Sequence, residues 1–160
     1  MVQVDYFLKI EGVDGESTDD KHKGEIVLHS WSFGASNAGS VSNAGGGGAG
    51  KVALRDFHFT KAVDKASVKL FVACCSGEHL KSAALFGRKS GGRQVEFLKI
   101  VLTNIVVSAF ETDSVAESGI PEDQVSLGFG QIACTYVEQR PDGSLIETVG
   151  GWDAITNRKV

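Results

Sequence analysis

Four groups of residues in this sequence have types and spacings that chemistry would need. The first is the run Gly45, Gly46, Gly47, Gly48, Ala49, Gly50, Lys51. Gly45, four residues, Gly50 and Lys51 fit most of the pattern G-x-x-x-x-G-K-[ST], in which backbone N–H groups and a lysine cradle phosphates. The position that would hold magnesium through a hydroxyl carries Val52. The pattern also requires a strand running straight in and a helix running straight out, so that the helix dipole converges on phosphate. Here the preceding alternating segment ends about ten residues earlier, and the residues after Lys51 alternate again as a strand. The run therefore reads as a glycine loop before a strand, and no nucleotide is expected.

The second group is the histidines, His22, His29, His58 and His79. None stands in an H-x-x-x-H spacing or pairs with cysteine at metal-ligand spacing, so no metal is expected. His58 sits between Phe57 and Phe59 in an alternating segment and reads as a structural or interface side chain. The third group is Cys74, Cys75 and Cys134. An odd count with no C-x-x-C argues against a disulfide framework, and the adjacent pair falls near a helix C-terminus, where nothing lowers a thiol pKa. The three are expected to be small buried thiols. The fourth group, the acidic stretch "DGESTDD" (residues 14–20), lacks the glutamate that closes a calcium loop and reads as a solvated turn. No G-x-S-x-G is present, and no serine, histidine and acid set has a recognisable context, so no enzyme and no cofactor are expected.

The elements that would position these residues are mostly strands. In "VDYFLKI" (4–10), Val4, Tyr6, Leu8 and Ile10 alternate with Asp5, Phe7 and Lys9. Residues 11–25, rich in Gly, Asp, Ser and Lys, read as an exposed loop. "EIVLHSWSFG" is a second strand, with Ser30 and Ser32 opposite Trp31 and Phe33. Residues 34–51 form one long Gly, Ser, Asn and Ala stretch, a kind of loop that in a compact domain carries function or stays disordered. "VALRDFHFT" then sets Leu54, Asp56, His58 and Thr60 opposite Arg55, Phe57, Phe59 and Lys61.

One helix is expected over about 64–76, with Val63, Ala66, Leu70, Ala73 and Cys74 on one face and Lys65 and Lys69 on a solvated side. Asp64 suits its N-cap and Gly77 its C-terminal stop. Strands are expected next in "EHLKSAALFGRKSG" and "QVEFLKIVLTNIVVSAFE". Phe97, Val101, Ile105 and Val107 make the latter too apolar to meet water throughout, so part of it must pack on the helix or on a partner. In "QVSLGFGQIACTYVEQ" the apolar parity changes at Gly130, as a β-bulge would cause. "RPDGS" marks a turn, and "LIETVGGWDAITN" carries the last apolar groups.

These elements describe one domain, 1–160, of a β-barrel or sandwich with a helix packed on it. The formal charge of −4 offers no basic stripe for nucleic acid. The apolar runs are too short to cross a bilayer as helices, and the N-terminus lacks the pattern of a cleaved secretory signal. Synthesis in the cytoplasm, with any export by a route that needs no cleaved signal, is therefore expected.

Taken in order, "DYFLKIEGVDGES", "EIVLHSWSFG", the serine- and glycine-rich loop ending "GGGGAGK", and "DFHFTKAVDKASVKLFVACCSGEH" resemble the Hcp (haemolysin-coregulated protein) family. "EFLKIVLTNIVVSAF", "EDQVSLGFGQIACTYVEQ" and "GWDAITN" extend the resemblance over nearly the whole chain. The family implies a small β-barrel formed by two antiparallel sheets with one flanking α-helix. It implies homohexameric rings that stack into the hollow inner tube of the type VI secretion system, with the system's sheath and spike proteins as partners and small effectors carried in the lumen. It implies secretion through that system, with no membrane insertion. By the same resemblance Ser30, Ser32, Lys65 and Lys69 are the expected lumen or effector contacts, Ser32 pointing toward the pore. Ser40, Asn43, Gly45, Gly46, Gly47, Gly48 and Lys51 are the expected ring-stacking or subunit-contact loop. A second reading of the residues is a monomeric β-barrel closed around a small ligand.

Overall fold

The computed structural model describes residues 3–39, 51–91, 93–114 and 119–160. Strands β1 (Gln3–Ile10), β2 (Ile26–Leu28), β3 (Ser30–Asn37) and β4 (Val52–Ala62) precede the helix α1 (Lys65–Ser76). Strands β5 (His79–Ser90), β6 (Glu96–Asp113), β7 (Glu122–Gln139), β8 (Leu145–Asp153) and β9 (Arg158–Lys159) come after it. The fold is mainly β with one helix among the described residues, as the patterning indicates. The strands form a single hydrogen-bonded sheet in the order β2-β1-β5-β6-β7-β4-β3, with β8 beside β7 and β9 beside β8. Two sheets were expected; β6 and β7, each long enough to pair along both halves, merge them into one.

Among the described residues no ladder joins β2 to β3, so the sheet is not closed by hydrogen bonds between its ends. The two end strands are instead consecutive in the chain, separated only by His29, whose N–H donates to Thr60 O at 2.9 Å. One core fills the interior, drawn from both halves: Leu8 and Ile26, Leu85, Ile100 and Ile105, Phe57, Phe59, Val125 and Leu127, with Leu70 of the helix.

The parity change expected at Gly130 is present in the burial of β7, which shifts from Val125 and Leu127 to Gly130 and Ile132. It is not a bulge in β7 alone. Pairing with β6 stays in step across it, Ile105 with Phe129 and Thr103 with Gln131. β6 changes parity at the same place, through Asn104, which takes the left-handed conformation (φ 55°) that asparagine tolerates better than most residues. The true register shift lies at Ser108, between Val107 and Ala109.

Residues 11–25 are not simply an exposed loop. Val13, Gly15, Ser17 and His22 are buried, Val13 joining the main core and His22 lying on the outer side of β1. His22 stacks on Phe7 (4.4 Å between centroids, 10° between planes). Its Nδ1 lies 3.0 Å from Glu25, and its Nε2 lies 2.5 Å from Glu96. Arg88 donates two hydrogen bonds to Asp19, at 3.0 and 2.6 Å, and holds its guanidinium over the Phe7 ring. Glycine is required at position 15, because a Cβ there would meet Glu25 O at 2.5 Å. The polar composition that suggested a solvated loop instead supplies partners for a buried aromatic.

The helix begins and ends as its sequence indicates. The Asp64 side chain accepts from Ala66 N, Asp64 N donates to Ser67 Oγ, and Gly77 closes the C-terminus in the left-handed conformation. Ala66, Ser67, Leu70 and Ala73 face inward. Burying Leu70 contributes about 2 kcal/mol. Beneath the first turn sits a charged network that strand periodicity alone does not explain. Lys61 and Asp123 are both 0% exposed and paired at 2.8 Å. Lys61 Nζ also donates to Asp64 (2.7 Å) and Ser67 Oγ (2.9 Å), and the Ser67 hydroxyl donates to Asp123 at 2.5 Å. Burial pushes the Asp123 carboxyl up, but hydrogen bonds from Lys61, Ser67 and Thr112 and the charge of Lys61 outweigh it and hold the group below the ordinary carboxylate range.

Asp123→Ala removes the fully buried carboxylate paired with Lys61, leaving only the partly exposed Asp64 beside it, and is expected to cost about 3–5 kcal/mol in denaturant unfolding. Asp64→Ala removes the helix cap and the outer of the two carboxylates on Lys61 but leaves the buried Asp123 in place, and is expected to cost less, about 1–2 kcal/mol. Equal losses for the two variants would contradict this ranking.

Asp19 gives the fold a pH dependence. Its hydrogen bonds from Arg88 lower its pKa from 3.8 to about 2. A folded value below the unfolded one stabilises the fold above pH 3.8, and that contribution is lost as pH falls through about 2. The difference in unfolding midpoint between wild type and Asp19→Asn should therefore be constant near neutrality and close over that acid window. A difference that persists to the acid end contradicts it.

Candidate functional site

Strand alternation divides the residues of β3, β4, β7 and the second half of β6 between two environments. Inward, Trp31 pairs with Phe59, Phe59 with Val125, and Val125 with Phe110. Outward, polar residues line up in rows across all four strands. Ser30 pairs with Thr60, Thr60 with Gln124, and Gln124 with Glu111. Ser32 pairs with His58, His58 with Ser126, and Ser126 with Ala109. Ala62 pairs with Glu122 and Glu122 with Asp113. The result is a broad sheet face made of short polar side chains and carboxylates.

Side-chain contacts hold this face in one arrangement. Ser30 and Thr60 hydroxyls meet at 2.6 Å, and His58 Nδ1 lies 3.0 Å from Ser126 Oγ. His29 Nδ1 lies 2.9 Å from Glu122. The Ser108 hydroxyl donates to Asp56 at 2.5 Å, joining the irregular positions of β6 and β4 over β7. Gly128 of β7 leaves room for that contact. A Cβ there would lie 3.2 Å from Val106 Cγ2 and 3.7 Å from Asp56 Oδ1.

The structure does not bring the four expected lumen residues together. Ser30 and Ser32 are exposed on the polar face. Lys65 and Lys69 are exposed on α1, which packs against the inward side of the same strands; Lys69 Nζ donates to Gly12 O at 3.2 Å. Ser40, Asn43 and Gly45 to Gly48 lie outside the described residues. Lys51 is exposed immediately before β4. The chain continues from it as a strand and not a helix, so the helix dipole that a phosphate loop requires is missing at Lys51.

The inside of the sheet is occupied by Phe57, Phe59, Leu8, Leu85, Ile100 and Leu127, none more than 2% exposed, which is the interior a ligand-holding barrel would need to leave open. Among the described residues, no group of His, Cys, Asp or Glu is arranged to hold a metal ion. Cys74 and Cys134 are half-buried and Cys75 exposed, so none of the three is the fully buried thiol expected; all are free, and burial raises the Cys134 pKa.

A family model described as "Type VI secretion system effector, Hcp" matches residues 7–136. The chain belongs to the Hcp family. It is 44% identical over 142 residues to Protein hcp1 of Pseudomonas aeruginosa, covering 88% of each chain. A solved structure described as a type six secretion system protein superposes with a TM-score of 0.91 at 30% identity, over 99% of this chain and 100% of that one. The crystal structure of Hcp1 from Salmonella typhimurium superposes with a TM-score of 0.81 at 32% identity, with the same coverage. The uncovered polar face and the capped helix are two surfaces of this one β-rich Hcp-family chain. No helix among the described residues is long and apolar enough to cross a membrane.

Sequence reasoning placed Ser30 and Ser32 on the correct side of β3. It missed the rows that continue through Thr60, His58, Gln124, Ser126 and Glu111. The alternation around Phe57 and Phe59 carried the signal for β4; the cross-strand register did not exist until the strands were paired.

Gly128→Leu puts a side chain between Val106 and Asp56 and is expected to destabilise by about 1–3 kcal/mol. Ser32→Gln extends into solvent and should stay within about 0.5 kcal/mol of wild type. Urea unfolding of both tests whether the face is fixed at Gly128 and open at Ser32, and a costly Ser32→Gln would refute the second half.

Proposed function

We propose that this chain is the subunit of a type VI secretion inner tube: six copies close into a ring, rings stack into a hollow tube, and the tube carries small effectors in its lumen. The observation that carries the reading is the coexistence of two unlike surfaces on one Hcp-family subunit. One is the wetted polar face around Ser30, Ser32, His58 and Ser126. The other is an apolar flank where α1 meets the end of β6, formed by Val63, Val68, Phe71 and Phe110 around a groove of about 440 Å³. Phe71 is 52% exposed and Val68 69% exposed, more apolar surface than a lone helix face normally leaves in water.

A subunit in a closed ring has this division of demands. Its flank meets an identical neighbour through a different patch, as a head-to-tail interface requires. Its inner wall meets water and cargo. In this reading Ser30 and Ser32 face the lumen, while Lys65 and Lys69 lie with the helix at the ring surface. The loop containing Ser40, Asn43, Gly45 to Gly48 and Lys51 contacts the adjacent subunit or ring, where glycine lets backbone approach backbone. Sheath and spike proteins of the same system are the external partners, and export uses the system itself.

Sedimentation with negative-stain imaging of the purified protein is expected to give rings of six subunits with an open centre. Phe71→Glu should abolish the rings and leave a folded monomer, because the side chain is already half in solvent. A wild-type protein that remains monomeric at high concentration would overturn the tube reading.

A further inference from the structure

The two outward faces of the sheet are treated differently. Over β1 and β5, residues 11–25 fold down, and His22, Asp19 and Arg88 enclose Phe7 and Phe86. Over β3, β4, β7 and the second half of β6, no segment among the described residues lies on the polar rows. Their fixed charges sort by sign. Asp56, Glu111, Asp113 and Glu122 are carboxylates. Arg55, whose guanidinium lies across Gly34, is the one outward cation of these strands among the described residues, since Lys61 is buried beneath them.

Two of the carboxylates are already engaged, Asp56 by Ser108 and Glu122 by His29. Glu111 and Asp113 are exposed at the open end of β6, and their carboxylates make no hydrogen bond or ion pair among the described residues. Around them the face is flat, because Ser30, Ser32, Thr60 and Ser126 have short side chains. Long side chains that bridge a contact here must therefore come from the partner.

We propose that this face docks a polypeptide whose contact surface carries lysine and arginine. The inference rests on the carrier reading above and names the chemistry of the cargo. An apolar partner would strip water from the hydroxyl, imidazole and amide rows without replacing their hydrogen bonds, which is unfavourable. An acidic partner would meet like charge at Glu111 and Asp113. A basic partner supplies long donors that reach both carboxylates and the serine and threonine oxygens. Closing copies into a ring would repeat the same carboxylates around one lumen, so weak single contacts would act together.

The test uses fluorescence anisotropy of labelled oligolysine and oligoglutamate peptides of equal length with the full chain. Glu111→Gln/Asp113→Asn removes the free carboxylates of the face. Glu138→Gln/Glu147→Gln removes the same charge from the β7–β8 arm and controls for overall acidity. Oligolysine is expected to bind wild type, to bind the face variant about fivefold more weakly, and to bind the control within about twofold of wild type. Oligoglutamate is expected not to bind. Equal weakening by both double variants, or no oligolysine binding at all, overturns the proposal.

Imaging of the same samples separates the two readings. Rings that ignore oligolysine retain the tube and remove the cargo chemistry. A monomer whose oligolysine binding still depends on Glu111 and Asp113 retains the docking face and removes the tube.

Discussion

The fold depends on one buried ion pair. Lys61 and Asp123 lie on the apolar parity of their strands, Lys61 with Phe57 and Phe59, Asp123 with Val125 and Leu127. Buried charges are tolerated only when paired and hydrogen-bonded, and these two are joined by Asp64 and Ser67 of the helix start. The pair therefore fixes three things at once. It sets β4 against β7, because a one-residue slip would move Lys61 to the polar face, His58 into the core, and leave Asp123 alone. It fixes the helix N-terminus over the inward side of the sheet. By occupying that side, the helix leaves the opposite side of the same strands free to be a polar surface.

The irregular positions serve the same division. A shift at Ser108 in β6 and another in β4 near Asp56 bring two polar side chains together above β7, where Gly128 has no side chain to separate them. The matched parity change at Asn104 and Gly130 turns both strands at once, so the β6–β7 pairing survives while the buried positions move from odd to even in β7. Alternation is thus preserved in each half of the strand pair, and each half buries its own apolar set. A shift in β7 alone would have put Ile132 or Leu127 in water.

Much of this was legible in residue order. The helix limits could be read from Asp64 and Gly77, which act locally through backbone capping and left-handed conformation. The sides of β1, β3 and β4 could be read from period-two alternation. The illegible parts depended on partners distant in sequence. Residues 11–25 look solvated because they are polar, yet His22 is covered because Phe7, Phe86 and Glu96 come from three different strands. The single sheet in place of two results from how far β6 and β7 run, a length that turn signals do not report. The Lys61–Asp123 pair did leave a trace: each is a charged residue at an apolar position of an alternating strand. Two such exceptions of opposite sign in one domain point toward each other.

The glycine run illustrates why flanking structure decides a motif. Gly45 to Lys51 has most of the letters of a phosphate loop, but a phosphate loop works by aiming the N-terminus of a helix. Lys51 leads into β4, whose first residues, Val52 to Arg55, pair with β3 and whose backbone N–H groups alternate in direction. Among the described residues, no helix N-terminus directly follows Lys51 to focus donors on a phosphate. The helix begins at Lys65, and its N-terminal N–H groups are occupied by Asp64 and Glu16. The anion-binding capacity of the helix is therefore taken up by the chain's own carboxylates. The outward surface of the neighbouring strands instead presents carboxylates, exposed at Glu111 and Asp113.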